Sequence, residues 1–160
     1  MAVIGIPFTA YAPASPTADQ AANAWLVLSQ YLQLAATVDG TASALYALVG
    51  ANVWAIDLPT DYAHSAAAVV VVIDSDMELG GSSASTVRVQ LRCYGGSDDP
   101  EDAMDVARAV RLQLRKATNE RVSAGKLCGA SIQSSSGRLV RTPTNVRPFI
   151  LLYANAVITP

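Results

Sequence analysis

The sequence predicts an α+β fold, in which a mostly antiparallel sheet packs against two main helices and an extended N-terminal arm precedes them. Helix-like segments at 20–38 and 100–118 are separated by strand-like segments, and the chain ends in three strand-like segments joined by SSSG and PTNV turns. Helices and strands in such unequal runs are typical of α+β proteins. Since 160 residues suit one domain of roughly 100–200 residues, we predict an arm over 1–18 and a single domain over 19–160.

The composition predicts a protein that covers much of its surface. The chain is 51% hydrophobic and 15% charged, against about 25% charged in ordinary soluble domains, and its mean hydropathy is +0.29. A bilayer span needs about 20 mostly apolar residues, and the uncharged segment 20–38 is too rich in Gln, Asn, Ser and Thr to be one. The N-terminus lacks the Lys or Arg of a signal peptide. We therefore predict a soluble, cytoplasmically made protein without membrane contact, whose surface is covered by partners.

The charges are divided unequally along the chain. The first basic residue is Arg88, and the seven acids before it give residues 1–87 a net charge of −7. From residue 88 onward there are 11 bases and 6 acids, a net charge of +5. Two halves of opposite sign can meet within a subunit or between neighbours. The overall acidity argues against a protein whose task is to hold nucleic acid, and no nucleic-acid recognition motif is visible.

The first helix raises the question of a subunit interface. Three prolines and no charge indicate that residues 1–18 are extended, Asp19 can cap a helix over 20–38, and Gly40 can end it. The water-exposed side of a helix normally has charged residues, and this helix has none. Either its own domain buries it completely, or its own sheet covers one face and a neighbouring subunit another. We favour the second interpretation, with these residues at the interface: Trp25, Leu28, Tyr31 and Leu32.

The middle of the chain, after a short helical turn, is predicted to form strands separated by loops. A short helical turn at 41–48 and a short strand at 52–56 precede the run AAAVVVVI at 66–73, which has no polar face and is therefore expected to be covered on both sides. The segment DSDMELGGSSAS follows as a projecting loop of acids, glycines and serines. Residues 86–94 alternate apolar and polar, as a half-exposed strand does.

The stretch CYGGSDDPEDAMDVARAV, residues 93–110, has the order strand, glycines, helix start. A phosphate loop is excluded because acids follow the glycines where Lys and Ser or Thr are needed. The acid spacing does not fit a calcium loop. A helix start explains the residues, with Asp99 at the cap, Pro100 at the first helical position and acids in the first turn.

The helix that follows has two different faces. Its predicted inner face is apolar: Ala103, Val106, Ala107, Val110 and Leu114. On the opposite side the arginines at 108, 111 and 115 form a ridge. This ridge is either a solvated face or a contact with the acids of a neighbouring subunit, which the division of charge favours. We therefore place Arg108, Arg111 and Arg115 at the predicted subunit interface.

Catalysis, metal binding and cofactor binding find little support in the sequence. His64 is the single histidine, and no Gly-x-Ser-x-Gly element accompanies it as a nucleophile. Cys93 and Cys128 have no metal-binding spacing and are predicted to be buried free thiols. We predict a protein that is not an enzyme and has no cofactor or metal; a small hydrolase using His64 with an Asp is the distant alternative.

The order of elements resembles the tail terminator (tail completion) proteins of long-tailed bacteriophages. The resembling parts cover roughly residues 20–158: the first helix, a Leu-Pro loop, AAAVVVVIDSD, a glycine-containing loop, STVRVQLRCYG, DPEDAMDVARAVRLQL, GASIQSSSGRLVR and VRPFILLYANAVI. The resemblance is one of pattern and order, with no single specific motif. The proline-rich arm before residue 19 departs from it.

This resemblance implies a structural virion protein without catalysis, assembled in the host cytoplasm and located at the neck. Such proteins form a ring, usually of six subunits, that ends polymerisation of the tail tube. The implied partners are the tail tube protein and the head-completion (connector) protein, and DNA passes through the ring without specific binding. The acids of the projecting loop, Asp74, Asp76 and Glu78, would then face the lumen or the tube. The nearest alternative is another neck or tail component, either a head-completion stopper or a tube protein.

Overall fold

The computed structural model describes residues 6–7, 24–36, 40–59, 62, 65–78, 84–133, 138–140 and 147–160. The helices in this part of the chain are α1 (Ala24–Leu32), α2 (Ala44–Val49) and α3 (Pro100–Arg115). The strands are β1 (Ile6–Pro7), β2 (Val53–Ala55), β3 (Ala68–Glu78), β4 (Ser85–Tyr94), β5 (Thr118–Val122), β6 (Gly125–Ile132), β7 (Arg138–Val140) and β8 (Phe149–Thr159).

The predicted α+β class and the antiparallel character of the sheet are confirmed. The strands lie in the order β1-β2-β3-β4-β8-β6-β5, and β7 pairs with β8. Among the described strands β2 and β3 form the one parallel pair, and every other pairing is antiparallel. The centre of the sheet is the long ladder between β4 and β8, which joins Tyr94 to Phe149 at one end and Ser85 to Ile158 at the other.

The three helices cover one face of this sheet. Alternate residues of β4, from Val87 to Cys93, are buried beneath the helices, while Arg88 and Gln90 point to the other face. The predicted alternation of this strand is therefore confirmed. The opposite face has a smaller buried cluster around Val70, Tyr94 and Phe149. One face is thus closed by helices, and the other is only partly covered.

The start of α3 confirms the predicted capping chemistry. The Asp99 carboxylate accepts a hydrogen bond from Glu101 N at 2.9 Å, and Pro100 occupies the first helical position. Glu101 and Asp102 lie in the first turn, where the helix dipole stabilises negative charge. The predicted inner face is also confirmed, since all five of its members are buried. The acids that resembled a binding site serve to begin a helix.

Two predictions about local structure are wrong. β3 does not end at Ile73 but continues to Glu78, paired with β4 and interrupted by a bulge between Ile73 and Ser75, so the acids predicted in a projecting loop belong to a strand. Their pairing with β4 supplies the backbone hydrogen bonds that a strand needs, despite an unfavourable composition. The helix predicted over 100–118 ends at Arg115, and Thr118–Val122, beyond Thr118 without a predicted element, forms the edge strand β5.

Candidate assembly surface

The three helices form one layer that is joined at Gln113. The Tyr31 hydroxyl of α1 donates to the Gln113 carbonyl oxygen at 2.6 Å, and the Gln113 side-chain amide donates to the Tyr31 carbonyl at 3.5 Å. Ser43, which caps α2, donates its hydroxyl to Gln113 Oε1 at 3.2 Å. Gln113 is buried, and a buried polar side chain is stable only when its groups are paired. This network fixes the positions of α1, α2 and α3 relative to one another.

The outside of this layer exposes large apolar side chains, which we call the helical-layer surface: Trp25, Tyr46, Leu48, Met104 and Leu112. Their exposed fractions lie between 36% and 48%. Tyr46 and Leu48 stand on α2, whose six residues contain no charge. Met104 and Leu112 lie four positions on either side of Arg108, so they share one side of α3. Large apolar side chains left exposed on neighbouring elements, as on α2 and α3, make this layer a candidate interaction surface.

The predicted arginine ridge lies within the same layer, but its three members differ. Arg108 is exposed and its Nη1 lies 2.6 Å from Asp105 of the preceding turn. Such exposed pairs contribute little to stability. Arg111 is half-buried. Burial raises the pKa of the Cys93 thiol, and the positive charge of Arg111 offsets part of that rise. Arg115 is exposed at the end of the helix. Arg108 and Arg115 are therefore accessible to a partner, and Arg111 only in part.

The predicted interface on α1 requires a correction. Leu28, Tyr31 and Leu32 are at most 1% exposed, because α1 packs against β2, β3, β5 and β6 of the sheet and Tyr31 is hydrogen-bonded to α3. Side chains already enclosed in their own core cannot contact a neighbouring subunit. Trp25 remains available at 36% exposure. The absence of charge in this helix therefore reflects burial in its own domain, and the predicted intersubunit position of Leu28, Tyr31 and Leu32 is wrong.

The acids assigned to a lumen-facing loop are placed on β3 instead. Asp74 is exposed and lies 3.3 Å from Arg88 Nε of β4. Asp76 pairs in the ladder with Val87, and Glu78 pairs with Ser85; their side chains lie outside the described structure. Asp57, beyond the end of β2, lies 3.8 Å from Arg92. Part of the opposite charge in the two halves of the chain is thus neutralised within the subunit.

Sequence reasoning missed a buried arginine beneath the partly covered face. Arg147 is 2% exposed, and its Nη2 donates to the carbonyl oxygens of Ala66 and Gly95. Its Cζ lies 5.7 Å from the ring centre of Tyr62 and 5.3 Å from that of Tyr94, within the range of cation–π attraction. Burial lowers the pKa of this arginine. The side chain ties the segment before β3 to the end of β4. The sequence predicted Arg147 as the first residue of the last strand and gave no sign of this role.

Side chains that bind metals are not grouped in the described part of the chain. No group of three or more His, Cys, Asp or Glu side chains in it could hold a metal ion. His64 lies outside the described residues. Cys93 is a buried free thiol, as predicted, whereas Cys128 is free and half-buried, with its sulfur 3.9 Å from Thr159 Oγ1. None of the described helices is long and apolar enough to cross a membrane.

Comparison with known proteins gives a shared fold. No protein-family model and no curated protein matches this sequence. Among solved structures the chain is similar to one from the virion of a native gene transfer agent particle, with a TM-score of 0.55 and 19% sequence identity. The similarity covers 84% of this chain and 95% of that chain, so almost the whole of that virion subunit has its counterpart here.

Proposed function

We propose that this protein is a structural virion protein of a phage-like particle, and that it forms a ring at the head-proximal end of the tail. The helical-layer surface is the observation that supports assembly most strongly, because it exposes apolar side chains with arginines among them on a rigid scaffold. The similarity to a virion subunit supports the virion assignment. The order of elements supports a tail terminator, which ends tube polymerisation and joins the tail to the head.

The proposed ring, of six subunits in the resembling family, is built by contacts through Trp25, Arg108, Arg115 and the exposed edge of Arg111. Apolar side chains supply the attraction, since burying an exposed Leu or Met on association removes its surface from water. The arginines guide orientation and the rate of encounter more than they add affinity. The tail tube protein and the head-completion protein are the proposed partners on the two faces of the ring, and DNA crosses its lumen without specific contacts.

Leu112→Asp tests the helical-layer surface. We expect the variant to fold normally, because Leu112 is 48% exposed, but to lose ring formation, since assembly would bury an uncompensated carboxylate in an apolar contact. The loss is expected to reach about tenfold or more in association affinity, as at interface hot spots. Analytical ultracentrifugation over a range of protein concentrations measures it.

Leu139→Asp is the matched control, because Leu139 is similarly exposed at 43% but lies on the strand β7 and does not belong to the helical-layer surface. Its association should equal that of the wild type. If Leu112→Asp forms the same rings as the wild type at every concentration, the assignment of this surface is wrong.

The second candidate function is that of another neck or tail component. The fold shared with a virion subunit is equally compatible with this candidate and with a tail terminator. The two differ in how assembly ends. A terminator forms closed rings, whereas tube subunits polymerise into long tubes and a head-completion stopper binds the connector. Electron microscopy of the purified protein at high concentration separates these outcomes.

A further inference from the structure

The two ends of α3 have opposite charges. Exposed acids lie immediately before the helix and in its first turn, and we call them the acidic end: Asp98, Asp99, Glu101 and Asp102. Exposed and half-buried bases lie where the helix ends and on the hairpin of β5 and β6 that follows, and we call them the basic end: Arg115, Lys116, Arg121 and Lys126. Because α3 has 16 residues, a helix about 24 Å long separates the two ends.

Neither end is neutralised by the described part of its own subunit. The ion pairs among the described residues are Arg88–Asp74, Arg92–Asp57 and Arg108–Asp105. No member of the acidic or the basic end takes part in them. The acid that β5 itself contains, Glu120, is only 4% exposed and forms none of these ion pairs. The charges of both ends are therefore available to a partner.

The helix dipole explains only part of this arrangement. Acids in the first turn and bases in the last turn stabilise a helix, which accounts for Glu101, Asp102 and Arg115. Arg121 and Lys126 lie outside the helix, directly opposite each other in the ladder of β5 and β6. Like charges directly opposite in an antiparallel pair destabilise it. Negative charge supplied by a partner would relieve this repulsion.

We propose that the basic end of one subunit contacts the acidic end of the next copy of this chain. This inference rests on the proposed ring, in which Arg115 is already a contact residue. The two ends are complementary in charge, and the net charge of −2 of the whole chain opposes nucleic acid as the partner. Because the ends are different surfaces of one subunit, the contact is heterologous, as a ring requires.

Charge reversal tests this contact, with association measured by analytical ultracentrifugation at low salt. Arg121→Glu and Glu101→Lys each place like charges across it, and each should weaken association about tenfold or more. The double variant, which has the wild-type net charge, should lose less than the sum of the two single losses, because its new charges attract each other across the contact. Arg138→Glu is the matched control, since Arg138 is exposed on β7, and it should leave association unchanged.

The salt dependence of the wild type gives a second measurement that needs no variant. Screening shortens the reach of exposed charges from about 10 Å at 0.1 M salt to about 3 Å at 1 M, so association should weaken as salt is added. Association that does not change with salt would overturn the inference.

The outcomes separate this inference from the proposed function. Wild-type rings that both single variants form equally well would refute the contact between the two ends and leave the ring standing. Open filaments that the single variants weaken would refute the ring and leave the contact standing, and a wild type that never associates would refute both. Duplex DNA is the alternative occupant of the basic end: binding of DNA that Arg121→Glu abolishes, with association unchanged, would also overturn the inference.

Discussion

Gly95→Ala should destabilise the protein by about 3 kcal/mol or more, at or above the upper end of the range for overpacked cores. A Cβ at this position would lie 2.4 Å from Asp102 Cβ and 2.6 Å from Ala103 N. Both neighbours belong to the first turns of α3, and the contact with backbone cannot be relieved by rotating a side chain. Because Gly95 has no Cβ, the end of β4 can lie directly against α3. Urea unfolding followed by circular dichroism measures the loss.

Gly96→Ala is the matched control for this change. A Cβ there would meet Ser65 O at 3.5 Å as its nearest neighbour, an ordinary van der Waals contact. Its effect should stay within about 0.5 kcal/mol, as for most surface changes. Equal stability of the two variants would show that β4 and α3 do not approach so closely. The glycines of this stretch thus divide into one required by packing and one that is not.

Arg147→Met should cost about 1–3 kcal/mol, since it removes the donor from two carbonyl oxygens, of which that of Gly95 is buried, and a buried acceptor left unpaired costs about that much. The lost carbonyl partners are Ala66 and Gly95, and the guanidinium also leaves the rings of Tyr62 and Tyr94. Because the arginine is buried, added salt should change this loss little. Urea unfolding at low and high salt provides the measurement, with near-ultraviolet circular dichroism reporting the tyrosines.

Arg92→Met provides the comparison for Arg147. Arg92 lies on the same sheet face but is half-buried, 3.8 Å from Asp57 and 5.9 Å from the Phe149 ring centre. Partly exposed pairs of this kind contribute up to about 1 kcal/mol. A loss for Arg147→Met no larger than that for Arg92→Met would contradict the role of Arg147 as the tie between the loop and the strand.

The elements that the sequence predicted well are those with one face in the core and one in water. β4 alternates because its two faces meet different surroundings, and α3 shows its buried side because Arg108 and Arg115 lie opposite Val106 and Val110. The pattern then reports the environment directly. The helix start at Asp99 was predictable for a similar reason, since capping is decided by residues close in sequence.

The predictions that failed concern residues whose environment is set by distant parts of the chain. An uncharged helix does not distinguish burial in its own core from burial by a neighbour, so Leu28 and Tyr31 were misplaced. The Tyr31 hydroxyl is satisfied by Gln113, 82 positions away. β5 contains Asn119 with a φ of 54°, and its polar sequence has no strand pattern. Ile56 has a φ of 68°, which contradicts the preference of a β-branched residue, so sequence alone could not indicate this turn.

Native mass spectrometry of the wild-type protein, alone and mixed with tail tubes, tests the central proposal most directly. We predict a closed ring with one copy number that does not change as protein concentration rises, and binding of that ring to the ends of the tubes. Tubes capped in this way should not elongate when further tube protein is added. A protein that stays monomeric at every concentration and never associates with tubes would contradict the account.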